Sequence, residues 1–174
     1  MRVRGVTRRY EDDRTRSALA AATGAKLEHS VRFVAVTRLT FEPSLPPGVR
    51  PSMFAPTLRT EARRAFADRL RERGLAEVTR GRRERLRLPD RTRVRLWNYT
   101  ATDPSPGFGA ELPLECWIGV WTRRQATFVV TGGYPAVTLQ SLLSTSPELD
   151  ALAVSSTEYR DEFFDLLRAI GAAN

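Results

Sequence analysis

The residue types that most often carry chemistry are scarce in this chain, which has one histidine, His29, and one cysteine, Cys116. His29 has Glu28 beside it, so a general base or a metal ligand is conceivable. Histidine metal sites, however, recruit further His, Cys or carboxylate ligands at fixed spacing, and no such spacing is present. His29 reads as a solvent-facing residue just ahead of a strand. Cys116 alternates with Leu114 and Ile118 in the most apolar stretch of the sequence. A thiol in such surroundings stays protonated and packs as an inert group. Glu77, Glu84 and Asp90 show no pairing that would define an acid/base dyad. The run Thr131-Gly132-Gly133-Tyr134-Pro135 would let a phosphate approach backbone amides, but it lacks the GxGxxG or GxxxxGKS/T spacing of a phosphate loop. It reads as a strand end that turns sharply before a proline. No catalytic set emerges, and neither a cofactor nor a metal is expected.

What the sequence does hold in quantity is arginine. The net charge is +8, and it is unevenly placed: residues 1–100 carry 24 basic against 11 acidic side chains, and residues 101–174 carry 4 against 9. Such a division invites either an anionic partner for the first part or a charge-complementary contact between the two parts. The densest candidate is a pair of strands, residues 78–88 and 91–100, separated by Pro89 and Asp90. With strand alternation, Arg83, Arg85 and Arg87 share one face of the first arm, and Arg91, Arg93 and Arg95 share one face of the second, continued by Trp97 and Tyr99. A ribbon of guanidinium groups ending in aromatics has the chemistry to track a phosphate backbone and stack bases. The alternative is an outer sheet face on which arginine stems cover apolar surface and pair with Glu148, Asp150, Asp161, Glu162 or Asp165. No RNP, KH or zinc-finger pattern accompanies the arginines. Trp117 and Trp121 share a strand face, where they either line a small-molecule pocket or pack under a helix.

The elements that must position these residues follow from periodicity. Residues 31–41 (VRFVAVTRLTF) read as a strand with Val31, Phe33, Ala35, Thr37, Leu39 and Phe41 on one side. Five prolines from Pro43 to Pro56 make a loop. Thr57 is placed to cap a helix over residues 58–73, with Leu58, Ala62, Ala65, Phe66 and Leu70 inward and Gly74 as its stop. The arginine hairpin follows, then a loop at residues 103–113. Next come an apolar central strand at 114–122 and a strand at 127–131 that Gly132 and Gly133 break. A short helix is expected around residues 139–143. Ser155 and Glu158 suit a capping box for a last helix whose stripe is Tyr159, Phe163, Leu166, Leu167 and Ile170, closed by Gly171. A short helix at residues 17–23, stopped by Gly24, stands in a first segment, residues 1–29, that is expected to attach loosely. Strands joined by short turns between two helices imply an α+β fold, an antiparallel sheet meander packed by a central and a C-terminal helix, in one domain over residues 1–174. Its core is expected from Phe33, Phe66, Leu70, Ile118, Val120, Val129, Phe163 and Leu167.

Three stretches, FADRLRERGLAEVTRGRRERLRL, the pair WIGVW and TFVVTGGYP, and EYRDEFFDLLRAI, resemble a group of uncharacterised small proteins of halophilic archaea. The order of helix, strand meander, glycine break and final helix is also similar to the PsbP-like fold, shared by a photosystem extrinsic subunit and a small Ran-binding factor. The resemblance covers about residues 58–172. It implies an α+β arrangement and carries no site residue.

The expectation for function is a non-enzymatic binding or accessory module with a basic surface for nucleic acid or an acidic protein. The alternative is a small enzyme or ligand-binding protein using a pocket between the sheet and the C-terminal helix. A single cysteine forms no intrachain disulfide, and the longest small-apolar run near the N-terminus, Ala18 to Ala22, is too short for a signal peptide, so a cytoplasmic setting is expected. No run of about 18 apolar residues predicts a membrane span.

Overall fold

The computed structural model describes residues 2–27, 30–42, 45–124, 126–143 and 150–173. His29, Glu28 and Glu148 lie outside them. The fold is α+β: one six-stranded antiparallel sheet with helices on its two faces. In chain order the strands are β1 (Arg2–Glu11), β2 (Phe33–Glu42), β3 (Ala76–Arg87), β4 (Arg93–Asp103), β5 (Leu112–Arg123) and β6 (Ala126–Pro135). The helices are α1 (Asp13–Thr23), α2 (Ala55–Glu72) and α3 (Ser156–Ala173). Across the sheet the order is β1-β2-β6-β5-β4-β3. The last four strands form the expected meander, and the N-terminal pair joins its free edge through β2 and β6.

Alternation along the central strands sends side chains into two cores. On one face Val34, Val36, Leu96, Trp117, Trp121, Phe128 and Val130 pack under Tyr159, Phe163, Phe164 and Leu167 of α3. On the other, Trp97, Tyr99, Leu114, Cys116 and Ile118 pack under Phe66, Ala67 and Leu70 of α2, with Leu19 of α1 in the same cluster. A sheet covered on both faces explains why β5 is apolar nearly throughout. Of the eight expected core residues, Phe66, Leu70, Ile118, Val120, Phe163 and Leu167 are buried. Phe33 and Val129 are only half-buried. In β2 the buried side chains are Val34 and Val36, on the opposite parity from the expected inward set, because α3 reaches that face of the strand.

Helix ends follow capping chemistry. Asp12 caps α1 by accepting from the Thr15 backbone N–H at 3.1 Å and the Thr15 hydroxyl at 2.8 Å, and Gly24 closes it at φ 67°. The expected box at α3 is present: the Ser155 N–H donates to Glu158 at 2.8 Å, and the Glu158 N–H donates to the Ser155 hydroxyl at 3.2 Å. Three expectations are corrected. The helix α2 begins at Ala55, ahead of Thr57, since a proline fits the first turn and Pro56 obstructs nothing there. Gly171 lies inside α3, where a Cβ would come within 2.9 Å of Leu88. Gly132 and Gly133 remain in β6 instead of breaking it, and a Cβ on Gly132 would lie 2.4 Å from the Phe163 ring. Gly132 and Gly171 admit α3 to the sheet, and Gly133 makes room for Phe33 on the other face. The segment expected to attach loosely holds a ten-residue strand, β1, paired along its length with β2.

Candidate functional site

The arginine hairpin forms as β3 and β4, and its register decides what the arginines face. Arg85 stands directly opposite Arg95, Arg87 opposite Arg93, and Arg83 opposite Trp97, so all of them share one face of the sheet. That face is the one α2 packs on, since Trp97 and Tyr99 of the same parity lie in the α2 core. Arg91 is not in the ladder. It sits in the connecting turn at φ 67°, where its N–H closes on the Leu88 carbonyl at 2.9 Å. Asp90 holds the turn by accepting from the Thr92 N–H at 3.0 Å and pairing with Arg123 at 3.0 Å.

Arg83, Arg85, Arg87, Arg93 and Arg95 are exposed. Among the described residues none of them has an ion-pair partner. Of the acids expected to neutralise them, Asp161, Glu162 and Asp165 belong to α3, which lies against the other face, where Glu162 pairs with Arg32 and Asp165 with Arg168. Where α2 passes the hairpin it leaves a groove of about 410 Å³, lined by Arg59 and Ser52 from one side and Arg85, Arg93, Arg95 and Thr92 from the other. No carboxylate lines it. Arg59 and Ser52 carry no local sequence signal for this role, because it depends on where α2 crosses the sheet. Behind the groove the Arg63 guanidinium lies 4.9 Å from the Trp97 ring centroid, with its Nε buried and unpartnered.

Trp97 and Tyr99 do not have the expected place. Both are 6 % exposed, Tyr99 edge-on to Phe66 and Trp97 beneath Arg63, so no base can stack on them. The helix covers the far end of the hairpin's arginine face and leaves the turn end open. The aromatic half of the ribbon is core and the guanidinium half is surface.

Beneath the middle of α3, where a ligand pocket is the alternative, the sheet face is filled. Trp117 is fully buried against Phe164, and Trp121 stacks on Phe128. Polar groups that sequence patterns do not bring together meet here. Trp117 Nε1 donates to the Tyr134 hydroxyl at 2.8 Å, Arg82 bridges Glu84 at 3.1 Å and Glu115 at 3.2 Å, and Arg160 donates to Glu84 at 2.6 Å. Burial pushes the Tyr134 hydroxyl well above the usual tyrosine range. The network ties α3 to β3 and β5, with Arg160 Nε left buried and without a hydrogen-bond partner. A cavity beside Asp12, Arg32, Tyr134 and Phe163 holds about 120 Å³, below the several hundred Å³ of small-molecule sites, and a larger open groove of about 500 Å³ lies on the same sheet face between β1 and the end of α3. Cys116 is fully buried, and burial pushes its thiol up to about 12. No group of three or more His, Cys, Asp or Glu is placed to hold a metal among the described residues.

No helix among the described residues is long and apolar enough to cross a membrane. Residues 1–171 match the family Domain of unknown function (DUF6517). No curated protein and no solved structure matches the chain.

Proposed function

We propose, for a chain that belongs to the family Domain of unknown function (DUF6517), a non-enzymatic binding role. In this reading the exposed arginines of β3 and β4 hold the phosphate backbone of a nucleic acid, weakly and without sequence preference. One observation carries it: Arg85 faces Arg95 and Arg87 faces Arg93 with no carboxylate between them. Like charges directly opposite on a sheet are unfavourable. A fold that retains two such pairs beside an open groove gains from an anion in that place. Rows of cations repeating every second residue, about 6.7 Å apart along a strand, suit a repeating row of phosphates better than the single charge of a metabolite. With Trp97 and Tyr99 under α2, binding rests on counterion release alone. It therefore falls steeply with salt and carries little sequence information.

The same face would attract an acidic protein, and the reading keeps that partner as the competing outcome. A small enzyme working between the sheet and α3 is less well supported, since the sheet face beneath α3 is occupied by Trp117, Phe163 and Phe164, and the groove at the end of α3 is lined by arginines with Glu42 as its one carboxylate. Kinship with haloarchaeal proteins and a PsbP-like arrangement agree with the element order from α2 to α3, and a cytoplasmic setting agrees with the lone reduced cysteine. None of these contributes a ligand. The test is a fluorescence-anisotropy titration of labelled single-stranded and duplex DNA and RNA at low salt. The comparison protein carries glutamine at Arg85, Arg87, Arg93 and Arg95. Weak binding that the folded variant loses supports the reading. Absent binding, unchanged binding by the variant, or binding of polyglutamate in preference to nucleic acid overturns it.

A further inference from the structure

The two edges of the sheet are built differently. The β3 edge is interrupted by register shifts between Ala76 and Thr79 and between Arg80 and Arg83. Bulges of this kind twist an edge away and block the addition of another strand. At the other edge β1 runs in unbroken register with β2 from Arg2 opposite Glu42 to Glu11 opposite Phe33, with no proline. Alternate residues of such a strand turn their N–H and C=O groups outward, unpaired.

The same strand leaves apolar side chains uncovered. Of the four large apolar residues exposed among the described residues, three belong to β1: Val3 at 45 %, Val6 at 60 % and Tyr10 at 45 %. By alternation Val6 and Tyr10 share the α3 face, whereas Val3 lies on the other. A ligand seated on one face would leave the other apolar group uncovered. An added strand touches both.

The charge around the strand selects its partner. Arg4, Arg8 and Arg38 stand around Val6, Val36 and Phe128 in a groove of about 500 Å³ between β1 and the end of α3, with Glu42 as its one carboxylate. Glu42 pairs with Arg4 at 3.5 Å across an exposed site. A second copy of β1 would bring four arginines against four, and in the antiparallel register that sets Val6 on its mate Arg4 faces Arg8.

We propose that β1 is a docking edge for an extended acidic peptide, which adds as a seventh strand. Its carboxylates lie opposite Arg4 and Arg8 and an apolar residue lies opposite Val6, giving the pattern acid-x-apolar-x-acid on the α3 face. Backbone hydrogen bonds hold the peptide, and the alternating side chains select it. This site is at the opposite edge from the arginine hairpin and stands or falls separately from it.

The test uses a fluorescein-labelled nine-residue peptide, Thr-Thr-Glu-Thr-Ile-Thr-Glu-Thr-Thr, which sets glutamate, isoleucine and glutamate on one face of a strand. One control peptide carries proline at its central position and a second carries lysine for each glutamate. Anisotropy should report binding of the first peptide and at least about tenfold weaker binding of both controls, since proline removes a ladder donor and lysine reverses the charge pairs. Hydrogen exchange of β1 amides should slow on binding. In the R4E/R8E double variant the preference should invert toward the lysine peptide, which separates recognition from loss of fold. Binding of duplex DNA by that variant should be unchanged. Equal binding of the proline peptide reduces the effect to charge and overturns the proposal. So does unchanged β1 exchange, or a dimer in which β1 is already protected without peptide.

Discussion

Replacing Arg85 and Arg95 together by glutamine separates two roles that arginines on a sheet face can have. The two stand directly opposite one another, exposed and without an acidic partner. A like-charge pair in this position costs roughly 0.2–1 kcal/mol. Its removal should leave the fold as stable as before or more stable by about that amount, a rise in Tm of up to roughly 2–4 °C for a domain of this size. On the binding side, five arginines each neutralising one phosphate give a slope of log K against log salt of about −3.5 for a single strand, at about −0.7 per contact. Removing two brings the slope to about −2.1. Anisotropy titrations of a labelled oligonucleotide across a salt series, beside thermal melts followed by circular dichroism, read both quantities on one pair of proteins. The expected result is weaker, less salt-dependent binding by a protein that melts no lower. A variant that melts several degrees lower with its salt slope unchanged refutes the reasoning. It would mean that the arginine stems hold the sheet by packing and the guanidinium groups meet no phosphate.

Three further outcomes are expected. Gly132→Ala should destabilise by about 1–3 kcal/mol in urea unfolding, because the new Cβ meets the buried Phe163 ring at 2.4 Å and the Phe33 carbonyl at 3.0 Å. Cys116 should resist a thiol reagent in the native protein and react fully once unfolded, since burial holds the thiol at about 12. Burial raises the Asp12 carboxyl, but hydrogen bonds from Thr15 and Arg32 overcome that and leave it lowered overall. Its contribution is therefore present above the ordinary aspartate value of about 3.9 and lost as pH falls through the lowered folded value. Unfolding of wild type and Asp12→Asn followed from pH 6 downward should show a wild-type advantage that vanishes at the acid end.

The meander and the closing helix were legible because their signals are local: a strand of continuous apolar residues at β5, a turn at Pro89-Asp90, a capping box at Ser155 and Glu158. The strand β1 was not, since its exposed residues mix arginine with valine on both faces and no one-sided burial marks the alternation. Gly132, Gly133 and Gly171 resembled breakers, yet each is there to admit a neighbour distant in sequence, and local sequence carries no trace of that contact. The site was half legible. Alternation correctly put Arg83, Arg85, Arg87, Arg93 and Arg95 on one face with Trp97 and Tyr99. How far along that face α2 extends is set by the packing of its Phe66 and Leu70 against Tyr99 and Ile118, and that divides the face into core and surface.

The strand order has a consequence for the sequence of events in folding. β2 finds its inner neighbour in β6, with Phe33 opposite Gly133, a hundred residues away. As the chain is synthesised, β1, α1 and β2 are complete long before β6 exists, so until then β2 has only β1 to pair with. Closing so long a loop is a slow, entropically costly step, and apolar strand edges stay open while it is awaited. The meander β3-β4-β5-β6, whose contacts are nearly all between consecutive strands, can assemble first. The N-terminal pair then docks onto a finished template, and the four arginines of β1 keep that waiting segment soluble.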